Sequence, residues 1–329
     1  LYTCHRAFYA PSNMVLCAVC QDTPERVAAI AQAGLKANLC EGLLAFEPKP
    51  YAEYPICAQN EEYVAKYHGA ADGRILIDYN IHAEYTSNPQ TCKDIAAVVK
   101  EKGLRMHLHA SETRSEHEEC KQRHGLTPAA YMEAHGIFDS PTTAAHCVWL
   151  EDEDFDILKK HNVSVACCPA SNLKLASGYA NIPKMLEKGI NIALGTDGAA
   201  SNNNLNIFQD IYLFGVVYKG FYHDSTLLTP AQVLHTATRA GALSQGRTDC
   251  GKLAVGYKAD LCVIDTDTPQ FTPMTDAACN VVYAAQGADV RLTMVDGEVL
   301  YRDGEFKTID IEKVKAETQK RTDAILRRL

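Results

Sequence analysis

The chain has 329 residues, of which 47% are hydrophobic and 22% are charged, and its formal net charge at pH 7 is -9. This composition is typical of an ordinary globular protein with one large domain, or with a large domain and a small one. The negative charge argues against a nucleic-acid-binding or anionic-membrane-binding surface, and no apolar run is long enough to span a bilayer.

The cysteine pattern predicts reduced thiols. The sequence contains 13 cysteines, an odd number without a regular framework, and several of them lie in apolar runs. Buried thiols of this kind are typical of a cytoplasmic protein rather than of a disulfide scaffold. Cys17 and Cys20 form a CxxC pair, but no second pair lies at the spacing of a zinc ribbon. We therefore interpret them as core or loop-edge residues.

Strands and helices alternate over the first 250 residues. Short apolar runs predict strands near residues 14–20, 35–40, 74–81, 105–110, 142–145, 163–166 and 190–194. Amphipathic segments with caps predict helices at 23–33, 61–68, 89–102, 115–124, 127–135, 152–161, 182–188, 205–217 and 230–242. Such repeated units indicate a parallel sheet, either doubly wound or closed as a barrel. The count of seven strands is one fewer than an eight-stranded barrel requires.

After residue 250 the pattern changes to short strands. Residues 251–260 form a glycine-punctuated turn region, and strands are predicted at 261–264, 281–283, 290–295 and 298–301. Asp296-Gly297 predicts a tight hairpin turn. Residues 309–329 predict a charged amphipathic helix that packs back on the body. We therefore divide the chain into a barrel (1–250), a small β unit (251–305) and a C-terminal helix (306–329).

Titratable residues follow four of the predicted strands. His107 and His109 are two residues apart, so they point to the same side of a strand. The candidate residues at the strand ends are His82, His109, Glu112, His146 and Asp197. For the 105–113 stretch taken alone, a metal-and-proton site and a half-buried polar strand followed by a helix-capping Glu112 remain equally open.

Active sites of parallel α/β barrels gather at the carboxyl ends of the strands, which favours the functional interpretation. Imidazole and carboxylate groups suit a divalent ion such as zinc or iron, which lowers the pKa of a bound water. Glu112 is placed to move a proton from that water to a leaving group.

Four separated motifs then carry a family resemblance. They are His107-Leu-His-Ala-Ser-Glu-Thr113, Ala145-His-Cys-Val-Trp-Leu150, Cys168-Pro-Ala-Ser-Asn-Leu-Lys-Leu175 and Leu194-Gly-Thr-Asp-Gly-Ala-Ala-Ser-Asn-Asn203. In this order they resemble the amidohydrolase superfamily, and within it the 5-methylthioadenosine/S-adenosylhomocysteine deaminases and the related chlorohydrolases. The resemblance covers residues 14 to about 302.

The resemblance implies a fold and a set of roles. The fold would be a distorted (β/α)8 TIM-type barrel with a small β-sandwich. His109 and Asp197 would be metal ligands, for zinc or alternatively iron. Glu112, His146 and Asp197 would be catalytic, and His82, Glu112 and Asp197 would bind the substrate. His107 is interpreted as a structural residue, which either lines the barrel or supports the site from behind His109.

The implied reaction is hydrolytic deamination of a small-molecule nucleoside: 5-methylthioadenosine, S-adenosylhomocysteine or a related 5′-modified adenosine. Water activated by the metal would attack the ring, and ammonia would leave. The alternatives are a guanine deaminase, a triazine-type chlorohydrolase, or a non-catalytic remnant that still binds a nucleoside. Such barrels commonly associate as homo-oligomers, but the sequence does not give the oligomeric state.

The sequence departs from the family pattern in two places. The family's first strand ends in a His-x-His pair of metal ligands, and no such pair occurs before His107. We therefore expect an N-terminally truncated barrel that lacks its first strand and holds a metal weakly. Glu41 stands where relatives that act on S-adenosylhomocysteine often carry Arg, and its carboxylate would repel an anionic substrate group.

Overall fold

A parallel sheet forms the centre of the molecule. The computed structural model describes residues 16–19 and 24–327, with side chains from residue 27 onward. Three strands pair in the order β1 (Leu16–Val19), β2 (Ala37–Cys40) and β3 (Ile75–Ile77). Five more pair in the order β4 (Tyr79–Asn80), β5 (Met106–Ala110), β6 (Thr142–His146), β7 (Ser164–Cys167) and β8 (Ile192–Leu194).

Strands β3 and β4 are two halves of one strand position. The Asp78 amide donates to the Leu39 carbonyl at 2.8 Å, whereas the Tyr79 amide donates to the Arg105 carbonyl at 2.8 Å. The chain therefore passes from pairing with β2 to pairing with β5 within one residue. The two parallel sheets continue each other, and the described residues occupy the seven strand positions that the sequence predicts.

Helices separate the strands and cover the outside of the sheet. They are α1 (Pro24–Gln32), α2 (Pro55–Tyr67), α3 (Pro89–Lys102), α4 (Arg114–His124), α5 (Pro128–Ala134), α6 (Asp152–Lys160), α7 (Pro169–Lys174), α8 (Ile182–Glu187), α9 (Ala199–Asn202), α10 (Ile207–Tyr222), α11 (Pro230–His235) and α12 (Gly241–Ser244). A π-helical segment, Thr236–Ala240, joins the last two, so the helix predicted at 230–242 is one continuous rod.

Capping explains why several predicted boundaries are correct. The Asn88 side chain accepts the Thr91 amide at the start of α3, and Gly103 ends that helix with a left-handed φ of 64°. Asn and Gly are favoured at these two positions. By contrast, α2 begins at Pro55, six residues before the predicted start, because Pro55 occupies the first helical turn.

The interior of the barrel layer is mainly apolar. Its main cluster of buried side chains includes Tyr79, Met106, Leu108, Phe155, Val165 and Ile192. Cys92, Cys120 and Cys147 are buried thiols in the same cluster, and no disulfide joins cysteines within residues 27–327. The CxxC pair falls partly outside the described residues, because Cys20 is not among them.

The C-terminal region builds an antiparallel sheet. Its four strands are β9 (Leu261–Ile264), β10 (Val290–Val295), β11 (Glu298–Arg302) and β12 (Glu305–Phe306), in the order β12-β11-β10-β9. Asp296 and Gly297 have φ values of 50° and 84°, as the predicted hairpin turn requires. The turn and three of the predicted strands are thus confirmed.

The strand predicted at 281–283 is wrong. These residues end helix α13 (Ala277–Tyr283), whose first turn is capped by the Asp276 side chain accepting the Cys279 amide. Val282 is buried against α10, where Gly215 leaves room for it: a Cβ added to that glycine would lie 3.1 Å from Val282 Cγ1. A run of β-branched residues here packs on a helix instead of entering a sheet.

A charged helix, α14 (Ile311–Leu326), ends the described chain. No side chain within this helix is buried. Its predicted packing on the body therefore stays a prediction. None of the helices within residues 24–327 is long and apolar enough to cross a membrane.

Candidate active site

The predicted strand-end residues meet at one end of the barrel. The His109 ring lies 4.9 Å from the His82 ring and 5.5 Å from the His146 ring, centroid to centroid. Glu112 Oε2 is 3.7 Å from His146 Nε2. Asp197 is close enough to His146 and His109 for both rings to influence its pKa. The structure thus brings together residues that are up to 115 positions apart (197 minus 82).

Strand register explains this convergence. The His109 amide donates to the His82 carbonyl at 2.9 Å, which ties the end of β5 to the loop after β4. In the next pair of strands, Ala110 lies opposite His146. Parallel strands in register deliver their carboxyl ends to the same edge of the sheet, which is where barrels place their active sites.

The backbone at this edge is strained. Ser111, His146 and Asp197 have φ values of 49°, 69° and 59°. Non-glycine residues adopt this left-handed region rarely and at a cost of about 1–2 kcal/mol each. Such outliers persist where the surrounding contacts over-determine them, and they are enriched at functional sites.

His109 is held as a neutral imidazole. Its Nδ1 lies 2.8 Å from the His82 carbonyl oxygen and therefore carries the proton, so Nε2 carries the lone pair. Burial, together with the neighbouring His146 and His107 rings, lowers the pKa of His109 to about 3, and the carbonyl contact offsets only part of this effect. A neutral ring with Nδ1 tied to a carbonyl is the usual state of a metal-ligating histidine.

Asp197 is held as a carboxylate. The Ser171 hydroxyl donates to Oδ2 at 2.6 Å, and the Gly198 amide donates to Oδ1 at 2.5 Å. Burial by itself raises the pKa of Asp197. The Ser171 hydrogen bond, His146, the Gly198 amide and His109 outweigh burial and leave that pKa below its ordinary value.

Glu112 is not the helix cap. The Thr113 side chain accepts the Glu116 amide at the start of α4, and the Glu116 carboxylate closes the capping box. The alternative that made Glu112 a capping residue is therefore wrong. Its carboxylate is only partly exposed, at 22%, and faces His146.

His146 is fixed in one orientation. Its Nδ1 lies 2.8 Å from Oδ1 of Asn172, which is fully buried in α7. The amide oxygen can only accept, so Nδ1 carries a proton, and Nε2 is the ring nitrogen that faces Glu112.

His82 stands at the mouth of the site. Its Nδ1 is 3.0 Å from the Thr86 hydroxyl, and its ring contacts Tyr85 edge-on with centroids 5.8 Å apart. Burial lowers the pKa of His82, and the negative charge of Glu112 offsets part of that effect.

The remaining histidines occupy supporting positions. The His107 ring is buried below His109, with centroids 6.2 Å apart. His117, His124 and His161 contact the carboxylates of Glu151, Glu84 and Glu133. Glu41 is buried beyond the end of β2, and its carboxylate accepts the Gln59 side-chain amide of α2 at 2.9 Å.

The sequence did not identify three residues that position the side chains of the site, namely Ser171, Asn172 and Glu116. Ser171 and Asn172 lie within a motif quoted for the resemblance, but nothing in their spacing shows that they contact Asp197 and His146. Glu116 had a detectable signal, because Thr113-x-x-Glu116 is a capping-box pattern. Within residues 27–327, no group of three or more His, Cys, Asp or Glu side chains is arranged to hold a metal ion.

Comparison with known proteins assigns the family. A sequence profile described as "Amidohydrolase family" matches residues 15–300. The chain belongs to the amidohydrolase family. One relative in this family is a 5-methylthioadenosine/S-adenosylhomocysteine deaminase of Caldanaerobacter subterraneus subsp. tengcongensis, 39% identical over 300 residues, which cover 91% of this chain and 69% of the relative. Another is a 5′-deoxyadenosine deaminase of Methanosarcina acetivorans, 39% identical over 304 residues, covering 92% and 70%.

Solved structures support the same fold. An adenosine deaminase from Xanthomonas campestris with bound zinc superposes with a TM-score of 0.86 at 26% identity, covering 94% of this amidohydrolase and 71% of that chain. An atrazine chlorohydrolase from Arthrobacter aurescens, complexed with zinc, gives a TM-score of 0.83 at 22% identity, covering 89% and 67%. The second likeness concerns the fold alone.

Proposed function

We propose that this amidohydrolase is a metal-dependent deaminase that hydrolyses the 6-amino group of a 5′-modified adenosine and releases ammonia. The observation that carries the proposal is the placement of Glu112 beside His146, with His109 and Asp197 at the same barrel end. The names of the relatives at 39% identity, which are deaminases of 5-methylthioadenosine, S-adenosylhomocysteine and 5′-deoxyadenosine, support the substrate class.

The donor set fits a divalent metal ion. His109 offers a neutral ring whose Nδ1 is already engaged, and Asp197 offers an anionic carboxylate oriented by Ser171. Imidazole and carboxylate are ligands of zinc, which we propose, and of iron, the alternative. Two ligands alone would hold such an ion weakly, so metal affinity depends on what else completes the coordination. When bound, the ion supplies a Lewis acid that lowers the pKa of water to near neutrality.

Protons are moved by the protein's own side chains. Glu112 accepts the proton that the attacking water gives up and delivers it to the amino group, which leaves as ammonia. Asp197 is a second acceptor at the site of attack. His146 directs Nε2 towards Glu112, because Asn172 accepts a hydrogen bond from Nδ1 and so fixes the orientation of the ring. His82, Glu112 and Asp197 bind the purine ring in this scheme.

An apolar rim favours substrates with an uncharged 5′ group. Leu44 and Phe46 are 52% and 68% exposed in the loop after β2, and Tyr85 is 49% exposed beside His82. This loop runs along the His82 segment, since the Ala45 amide donates to the Thr86 carbonyl at 2.8 Å. An alkylthio or methyl group would bury apolar surface here, whereas a charged amino-acid tail would lose solvation.

Substrate profiling tests the proposal. Purified protein supplied with zinc is assayed for ammonia release on 5-methylthioadenosine, 5′-deoxyadenosine, S-adenosylhomocysteine, adenosine and guanine, and for chloride release on atrazine. We expect turnover of the adenosines, with the uncharged 5′ groups preferred, and loss of turnover after treatment with a chelator. Turnover of guanine or atrazine alone, or of none of the six with metal bound, would contradict the proposal.

The role of Glu112 as the general acid–base group is tested by a matched pair of variants. Glu112→Gln is expected to lower kcat about 10²- to 10⁴-fold, the range for loss of a general acid–base group. Glu118→Gln serves as the control, because Glu118 is exposed on helix α4 and should leave kcat unchanged.

A further inference from the structure

A buried carboxylate holds the loop that carries Glu112. Glu116 is 6% exposed, and its Oε1 accepts the Ser111 amide at 3.0 Å while its Oε2 accepts the Glu112 amide at 2.7 Å. The second of these amides belongs to Glu112 itself. Glu116 is therefore bonded directly to the backbone from which the acid projects.

The same loop is joined to the loop that carries His146. The Ser111 carbonyl accepts the amides of Val148 and Trp149 at 3.0 and 2.9 Å, and the Ala110 carbonyl accepts the Cys147 amide at 3.0 Å. Ser111 is fully buried. Its left-handed φ of 49° is offset by these hydrogen bonds. The 3.7 Å separation of Glu112 and His146 thus depends on backbone that Glu116 anchors.

A second set of contacts supports this backbone from outside. The Ser111 hydroxyl lies 3.3 Å from His117 Nδ1, and His117 Nε2 lies 3.2 Å from Glu151 Oε1. Glu151 is the residue that precedes α6, so the chain of contacts links α4 to the β6 loop.

We propose that Glu116 is a positioning residue, which sets the distance between Glu112 and His146 through its hydrogen bonds to the Ser111 and Glu112 amides. The inference rests on the proposed function for its kinetic readout. A displacement of about 1 Å at a reacting group can lower a rate about 100-fold. Loss of the Glu116 contacts should therefore lower kcat far more than it raises KM, because His82 and Asp197 still bind the purine ring.

The kinetic test is a double-mutant cycle. Glu116→Gln, Glu112→Gln and the double variant are assayed with 5-methylthioadenosine at pH 8, where Glu116 is ionised, since burial raises its pKa to about 7. Glu116→Gln puts an amide donor against a backbone donor, so we expect kcat to fall about 10- to 100-fold while KM stays within about threefold. The effect should nearly vanish in the Glu112→Gln background, because Glu116 acts only through Glu112.

The matched control is Glu118→Gln, two residues along the same helix, which should retain the kcat of the wild type. A kcat of Glu116→Gln equal to that of Glu118→Gln would overturn the proposal. An equal loss in the wild-type and Glu112→Gln backgrounds would also overturn it, because a general destabilisation acts independently of Glu112.

Hydrogen–deuterium exchange gives a readout that needs no turnover. Glu116→Gln should accelerate exchange of the Ser111 and Glu112 amides and leave the strands β6 and β7 protected. If the wild-type protein deaminates nothing, the proposed function fails, and this exchange pattern alone decides the positioning role. Unchanged protection of both amides would overturn it. If Glu116→Gln does not fold, Glu116→Asp replaces it, because aspartate keeps the charge but is too short to reach both amides.

Discussion

At the scale of single residues, the site depends on side chains that fix proton positions. Asn172 determines which nitrogen of His146 carries hydrogen, and the His82 carbonyl does the same for His109. A histidine is useful as a base or a ligand only when the correct nitrogen has its lone pair available. The partners of the histidines therefore matter as much as the histidines themselves.

Asn172 provides the first prediction. Asn172→Ala removes the acceptor from His146 Nδ1, so the ring can populate the other tautomer and turn away from Glu112. We expect kcat to fall about 10- to 100-fold, as is common when a partner of a catalytic histidine is lost. Asn172→Asp keeps an acceptor oxygen and should lose less. The rates of ammonia release by the two variants decide the matter, and equal rates for Asn172→Ala and wild type would exclude this role.

The sequence could predict the strand-end residues but not their partners. His82, His109, His146 and Asp197 are visible because each follows an apolar strand, and parallel strands share one edge. Ser171 and Asn172 lie on a short helix after β7, and their contacts depend on how that helix is oriented. Orientation of this kind is set by packing, which periodicity does not report.

At the scale of elements, the sequence predicts the structure correctly where capping signals and hydrophobic periodicity agree. Helix α3, the strand β6 and the Asp296-Gly297 hairpin were predictable because each has a local signal at both ends. The segment 281–283 fails because Val281-Val-Tyr283 has strand-forming residues but follows a capped helical start at Asp276. Contact with Gly215 in α10, more than 60 residues away, decides its structure.

Two glycines in the turn after residue 250 provide the second prediction. Gly251 and Gly256 have φ values of 87° and 84°, but only Gly251 is crowded: an added Cβ would lie 2.7 Å from the Arg239 Cα. Gly256→Ala should cost about 1–2 kcal/mol for the left-handed backbone alone. Gly251→Ala should cost about 1–3 kcal/mol more, because a backbone atom cannot move aside. Urea denaturation of both variants measures the difference in their free energies of unfolding. Equal losses of stability would show that the structure moves to relieve the close approach at Gly251.

At the scale of the whole molecule, the small sheet is attached to the amino-terminal side of the barrel. Lys36 precedes β2, and its Nζ lies 2.5 Å from Asp260 Oδ2 and 2.6 Å from Asp296 Oδ1. Lys36 and Asp260 are 5% and 4% exposed. The Leu300 side chain packs on Gly34, where a Cβ would lie 2.4 Å from it. These contacts fasten the sheet at the opposite end of β2 from the candidate active site, so they concern stability and not chemistry.

The attachment predicts that barrel and small sheet unfold together. Trp149, the single tryptophan, follows β6 and reports on the barrel by fluorescence, while far-UV circular dichroism reports on every element. We expect the two urea transitions to coincide in the wild-type protein.

Lys36→Met leaves the carboxylates of Asp260 and Asp296 without their buried cation, so it should cost about 3–5 kcal/mol and separate the two transitions. Lys258→Met is the matched control, because Lys258 Nζ lies 3.7 Å from Asp296 Oδ1 and is 44% exposed. An exposed pair of this kind contributes about 0–1 kcal/mol. If Lys36→Met and Lys258→Met were equally stable, the buried cation would not be what joins the two parts.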